Sequence, residues 1–156
     1  MHNWMTCAVT YGKMMENGVE KNVTEKYLVD ALSFTEAEAR IIEGIQPFIS
    51  GEFKVSGINR AHYSEVFLSN DPSSDKFYKV RISYITIDEK AGSEKRMIAK
   101  MLVQAGDFEG ALSNFEKGMR GTLADYEIIE ISETPIMDVF EYEAKEGQDG
   151  KEHLQI

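Results

Sequence analysis

The chain has 156 residues and a formal net charge of −10 at pH 7. This length suits one domain or two small halves that stabilise each other, and the apolar runs are too short to cross a bilayer. The negative charge disfavours attraction of the whole surface to nucleic acid or anionic lipid, but it is compatible with a local basic patch. The single cysteine, Cys7, excludes an internal disulfide. Because the start of the chain also shows no secretory leader, we expect a cytoplasmic protein.

Two parts of the sequence resemble each other. Residues 29–34 are similar to residues 103–108, and residues 53–67 are similar to residues 126–140. Such self-similarity usually marks two copies of one supersecondary unit. We therefore predict a first repeat over residues 1–70 and a second over residues 71–142, which together form one compact domain. An acidic tail over residues 143–156 is expected to be mobile, because it has few apolar residues to offset the entropy of ordering it.

Each predicted repeat reads as strand, strand, helix, strand. Two alternating segments flank Asn17-Gly18 in the first repeat and Ala91-Gly92 in the second. Glycine readily supplies the positive backbone angles of a tight turn, so each pair of segments is expected to form an antiparallel hairpin. The predicted strands are residues 4–14, 23–31, 77–87 and 96–105.

A helix is predicted after each hairpin. Ser33 with Glu36 has the spacing of a capping box, and Asp107 can cap the second helix. Apolar residues then recur at nearly helical spacing, which predicts one face packed on the sheet. Ile41 and Phe115 lie at corresponding positions of these faces, which also include Phe48 at the end of the first.

The third strand of each repeat is predicted to be long, over residues 52–68 and 126–142. Strands of that length usually bend or break, and Gly57 and Pro135 mark where a bulge or a change of sheet is expected. The outer end of each strand is expected to pair with a neighbouring unit, either the other half or a second chain. In the second case a homo-oligomer interface would contain Val66, Phe67, Val139 and Phe140.

The sequence contains no recognised catalytic motif. It lacks a nucleophile elbow, a phosphate-binding loop and a dinucleotide fingerprint. His2, His62 and His153 lack the spacing of zinc ligands, so no metal and no cofactor are expected. Cys7 lies in an alternating strand and is interpreted as a small buried side chain. These observations favour a protein that is not an enzyme.

The second hairpin differs from the first in its charges. Lys79 and Arg81 share one face of its first strand, and Arg96 and Lys100 share one face of its second strand. A basic sheet face with aromatic neighbours can hold single-stranded nucleic acid through phosphate contacts and base stacking. A solvated face whose cations balance the surplus of acids is the favoured interpretation.

Three strings of residues point to a family. Residues 4–7, 27–40 and 132–140 resemble a family of small proteins from Bacteroides-like bacteria and their phages, known as a domain of unknown function. The resemblance spans about residues 3–142 and brings no catalytic residues with it. It implies a cytoplasmic bacterial or phage-related protein, with an association with DNA metabolism in phage genomes.

We therefore predict an α+β fold, a duplicated β-β-α-β unit with two helices covering mostly antiparallel sheets. The expected function is that of a non-enzymatic binding or assembly protein acting as a homo-oligomer, with a dimer as the default. A first alternative is a single-stranded nucleic-acid-binding accessory protein. A second alternative is a small-ligand binder with a pocket between the repeats.

Overall fold

The structure is a computed structural model that describes residues 2–142. The predicted tail lies outside the described residues. The chain divides into two compact units. The first unit consists of two segments, one that ends at Ala61 and one that begins at Asp138, and the second unit runs from His62 to Met137. In chain order the elements are β1 (Trp4–Met14), β2 (Glu20–Asp30), α1 (Phe34–Ile45), a 3-10 turn (Gln46–Phe48), β3 (Phe53–Arg60), β4 (Glu65–Phe67), β5 (Lys76–Asp88), β6 (Ser93–Ala105), α2 (Phe108–Gly118), β7 (Asp125–Glu133) and β8 (Ile136–Phe140).

Each unit contains one 4-stranded sheet and one helix. The strand order is β3-β1-β2-β8 in the first sheet and β4-β6-β5-β7 in the second. Pairing is antiparallel between β1 and β2, β1 and β3, β5 and β6, and β5 and β7. In contrast, β4 runs parallel to β6. The predicted α+β class is therefore confirmed. The two orders match element for element, and an origin by duplication stays a prediction.

Both predicted hairpins form. Gly18 and Gly92 in their turns have φ angles of 81° and 61°, a region that side chains with a Cβ rarely adopt. Both helix caps form as well. The Glu36 amide donates to Ser33 Oγ at 3.1 Å, and the Gly110 amide donates to Asp107 Oδ1 at 2.7 Å. Only half of the predicted capping box is made, because the Glu36 carboxylate pairs with Arg40 one turn later.

The core of each unit lies between its helix and its sheet. In the first unit Met5, Cys7 and Val9 pack against α1, and Ile41 is fully buried. In the second unit Val80 and the other core residues pack around the fully buried Phe115. The helix orientation predicted from the apolar spacing is correct for these two residues. Phe48 is a correction: it lies in the 3-10 turn that contains Pro47 and remains 78% exposed.

Both long third strands are interrupted, as expected. Ser56 is an extra residue in β3, beside Gly57, because Ala8 faces Gly57 while Val9 faces Val55. Ile129 is the extra residue at the corresponding place in β7. Such β-bulges increase the local twist of an edge strand. The strands then break completely at residues 61–64 and at Thr134-Pro135.

The outer ends of the third strands cross to the other sheet. β4 follows β3 in the chain but pairs with β6, and β8 follows β7 but lies beside β2. Each crossing strand brings a phenylalanine to a helical glycine of the sheet that it joins. A Cβ on Gly44 would meet the Phe140 ring at 3.1 Å, and one on Gly118 would meet the Phe67 ring at 2.7 Å. Each glycine thus leaves the space in which the ring packs.

Candidate functional surface

The second hairpin has a face that α2 does not cover. Alternation along β5 turns Tyr78, Val80 and Ile82 towards the helix, and the residues between them point the other way. We call this second side the outer face. The helix packs against the part of the hairpin near Tyr78 and Val103, while β5 and β6 continue for several residues towards the turn.

The four predicted basic residues all lie on the outer face. Arg81 is directly opposite Lys100 in the β5–β6 register, and Arg96 is opposite Ile85. Because directly paired residues of an antiparallel ladder point to the same side, the register joins Lys79 and Arg81 of β5 with Arg96 and Lys100 of β6. The sequence predicted the two pairs separately, and the structure brings them onto one surface.

Acidic residues of β7 pair with three of these cations. Arg81 Nη1 donates to Glu130 Oε1 at 3.2 Å, and Lys79 Nζ lies 3.8 Å from the same oxygen. Arg96 contacts Glu127 at 3.1 Å and Glu94 at 3.3 Å. The hydrogen bond from Arg81 lowers the pKa of Glu130 below its usual value, so this carboxylate stays charged across the physiological range.

Lys100 has a different neighbour. Its ammonium lies 4.8 Å from the centre of the Tyr63 ring, in the segment that leads into β4. Tyr78 and Tyr84, the aromatic neighbours of the basic residues in β5, lie on the other face of the strand. Tyr78 is 1% exposed and packs against Phe108, and Tyr84 packs against the helix-side core. Neither ring is available for stacking on the outer face.

The outer face also carries an apolar strip that sequence reasoning missed. The strip consists of four isoleucines that lie beside the basic residues. The side chains of Ile87, Ile98 and Ile129 are 73%, 55% and 47% exposed, and Ile85 is partly exposed. We call these residues the isoleucine strip. Ile98 is opposite Ser83, between Ile85 and the basic pair, and Ile129 is the extra residue of the bulge. The sequence signal for the strip was the alternation of Ile85 and Ile87 along β5.

The first unit has hydroxyl groups at the corresponding positions. Thr10 and Thr24 face each other across β1 and β2 with their hydroxyls 2.9 Å apart, and the Thr10 hydroxyl donates to Ser56 Oγ at 2.9 Å. Ser56 in turn donates to the Ala8 carbonyl at 3.3 Å. We call this chain of hydrogen bonds the hydroxyl ladder.

Ser83 carries a hydroxyl of the second unit that has no such ladder around it. It occupies the position of Thr10, but isoleucines replace both hydroxyl partners, since Ile98 takes the place of Thr24 and Ile129 that of Ser56. Ser83 is 3% exposed, and its hydroxyl has no hydrogen-bond partner among the described residues. A buried hydroxyl without a partner costs free energy.

The predicted interface residues are used within the chain. Phe67 packs edge-on against Phe115 at 6.4 Å, and Phe140 stacks on Tyr27 at 5.9 Å. Val66 and Val139 lie on the same two strands and are half-buried. Their assignment to a contact between chains stays a prediction.

The remaining chemistry of the described part is sparse. Cys7 is buried, as expected, and burial raises the pKa of its thiol to about 11. Within residues 2–142, no group of three or more histidine, cysteine or acidic side chains is placed to hold a metal ion. No helix in the same range is long and apolar enough to span a membrane.

The comparison with known families agrees with the resemblance in the sequence. The model of one family, a domain of unknown function (DUF4494), matches residues 3–142. The match covers both units almost completely, so the chain belongs to this family. No curated protein matches the chain at a significant level.

Proposed function

We propose that the protein is a non-enzymatic binding or assembly protein that works as a homo-oligomer, and that two copies meet through the isoleucine strip. The observation that carries the proposal is the contrast between the strip and the hydroxyl ladder. The two sheets share one strand order, so the fold itself does not require isoleucines on this face. Clustered apolar side chains on a surface favour association, because contact removes them from water.

The residues around the strip support a second copy as the partner. Arg96 carries a positive charge beside the strip, and Glu94 and Glu127 carry negative charges next to it. A symmetric dimer needs a self-complementary surface, and a surface that carries charges of both signs beside an apolar strip is compatible with that requirement. The buried position of the sole cysteine supports assembly in a reducing cytoplasm.

Light scattering coupled to size-exclusion chromatography tests this proposal. The wild-type chain should elute as a dimer at high concentration, and Ile87→Glu combined with Ile98→Glu should give a monomer, because charge on the strip opposes its burial. Met14→Glu is the matched control. Met14 corresponds to Ile87 in the first hairpin and is 65% exposed, so its replacement should leave the dimer intact. A wild-type monomer at every concentration, or a dimer that persists in the double variant, would exclude the strip as the interface.

A second candidate is a single-stranded nucleic-acid-binding accessory protein of bacterial or phage DNA metabolism. The four cations on one face favour it, as does the resemblance to proteins of Bacteroides-like bacteria and their phages. The ion pairs of Lys79, Arg81 and Arg96 weigh against it, because a phosphate would have to displace a carboxylate from each cation. Small-ligand binding remains the third alternative.

Fluorescence anisotropy with a labelled single-stranded oligonucleotide separates the first two candidates. Binding to phosphates should weaken steeply as salt rises, because each neutralised phosphate releases counterions. Arg81→Gln combined with Lys100→Gln should flatten that dependence and leave the fold intact. Absence of binding at low salt would remove the nucleic-acid candidate and leave the assembly proposal in place.

A further inference from the structure

We propose that Arg81 and Lys100, with Ser64 and His62, form a binding site for one phosphate group, as inorganic phosphate or a phosphomonoester. The first observation is the pairing of like charges. Arg81 and Lys100 stand directly opposite each other in the β5–β6 register. Like charges at directly opposed positions of an antiparallel pair are destabilising, and a bound anion removes that repulsion. The first unit has Ala8 opposite Lys26 at the corresponding place, so it has no such pair.

The second observation is a surplus of positive charge at this place. Glu130 faces both Lys79 and Arg81, so one carboxylate is shared by two cations. The ammonium of Lys100 lies 4.8 Å from the centre of the Tyr63 ring, an attractive contact that adds no negative charge to the site. This part of the surface is therefore positive in a chain whose net charge is −10.

The third observation is a cleft that holds the side chains together. It has a volume of about 260 Å³ and is lined by His62, Ser64, Arg81, Ile98, Ala99 and Lys100. The Ser64 amide donates to the Lys100 carbonyl at 2.8 Å, which fixes the segment before β4 against the edge of β6. The lining thus combines two permanent cations with a hydroxyl and an imidazole.

These donors match the chemistry of a phosphate. The guanidinium of Arg81 has five N–H donors, of which the contact with Glu130 engages one nitrogen, and the ammonium of Lys100 adds a point charge. A tetrahedral oxyanion can accept from several of these groups at once. Of the two remaining cations of the outer face, Lys79 shares Glu130 with Arg81, and Arg96 is paired with Glu127 and Glu94. The positive surface therefore does not continue as a track for a polyphosphate backbone. A single phosphate group is therefore the ligand that fits.

Titration of the full-length, isotope-labelled protein with inorganic phosphate, followed by amide NMR, tests the proposal. Saturable shifts should appear at residues 62–64 and 98–100, and chloride at equal ionic strength should not reproduce them. Arg81→Gln should weaken binding by about tenfold, the value of one charged hydrogen bond. Lys100→Gln should weaken it comparably, and a well-dispersed spectrum of each variant shows that it is folded.

Arg96→Gln is the matched control, because Arg96 lies on the same face outside the cleft, and its affinity for phosphate should equal that of the wild type. Shifts that do not saturate, or an Arg81→Gln variant with wild-type affinity, would overturn the proposal. Binding of a thymidine oligonucleotide with no response to inorganic phosphate would also overturn it, and would assign these cations to the nucleic-acid candidate. Ile98 belongs both to the cleft and to the isoleucine strip, so light scattering at the NMR concentration, with and without phosphate, separates loss of phosphate binding from a change of oligomeric state.

Discussion

The outer faces of the two sheets differ in the side chains that they carry at corresponding positions near the hairpin turns. Both sheets have the same strand order, and both third strands have a bulge at the corresponding residue. On this common frame the first unit places the hydroxyl ladder, whose groups satisfy one another, and the second places the isoleucine strip. The comparison teaches that packing against the helix constrains one face of each sheet, whereas the outer face accepts different side chains on the same strand frame.

The largest expected effect tests the packing that the two units share. Ile41→Ala and Phe115→Ala remove fully buried side chains at corresponding helix positions, so each should lower the free energy of unfolding by about 2–5 kcal/mol. The larger ring of Phe115 should give the greater loss. Urea denaturation followed by circular dichroism measures both. A loss below about half a kilocalorie per mole for either variant would contradict the core position described above.

The helical glycines provide a finer test of the same equivalence. A methyl group on Gly118 would approach the Phe67 ring to 2.7 Å, closer than the 3.1 Å between a methyl on Gly44 and Phe140. Gly118→Ala should therefore destabilise by about 1–3 kcal/mol through overpacking, less the gain in helix propensity. Gly44→Ala should cost less. Equal effects in thermal and urea unfolding would show that the two rings are packed alike.

Ser83 offers a way to measure how much stability a buried hydroxyl costs when the hydroxyl ladder is absent. Ser83→Ala removes a buried hydroxyl without a partner among the described residues, so it should raise the stability by about 1 kcal/mol. Thr10→Val at the corresponding position breaks two hydrogen bonds and should lower it by a similar amount. Opposite signs in urea titrations would support the comparison, whereas a loss of stability on Ser83→Ala would indicate that this hydroxyl has a partner.

Cys7 gives a small effect at neutral pH and a distinct one in alkali. The corresponding core residue of the second unit is Val80, so Cys7→Val makes the two cores alike and should change the stability by less than about 1.5 kcal/mol. Burial raises the pKa of the thiol to about 11, above its ordinary value of 9.0. The neutral thiol is favoured in the folded state, so its stabilising contribution is complete below pH 9 and is lost as the pH rises towards 11. Unfolding measured across this range should show a steeper loss for the wild type than for Cys7→Val, and identical profiles would contradict the assignment.

The elements set by neighbouring residues could be predicted from the sequence. Hairpin turns, the Ser33 and Asp107 caps and the burial of Ile41 and Phe115 follow from patterns within a few residues, and each is present in the structure. The basic residues were likewise identified, because they alternate along two strands. The ends of the predicted apolar faces do not follow in this way: Phe48 and Phe108 are exposed.

Features set by distant residues could not be predicted in the same way. Whether β4 and β8 pair with the other half or with another chain depends on contacts between segments far apart in sequence. The pairing of Arg81 with Glu130 depends on the register of β7, which the bulge at Ile129 shifts by one residue. Finding the isoleucine strip also required knowing the register of β5, β6 and β7, which brings Ile85, Ile98 and Ile129 together.

The crossing of β4 and β8 has a consequence for synthesis on the ribosome. The first sheet needs residues 136–140 as its last strand, so it cannot be completed until almost the whole described chain has been translated. Its early strands must wait with one edge unpaired while the second half emerges, and pairing over such sequence distances is slow. A chain stalled after the first half would hold an incomplete sheet. We therefore expect nascent chains of this protein to depend on chaperones until residues 136–140 have been translated.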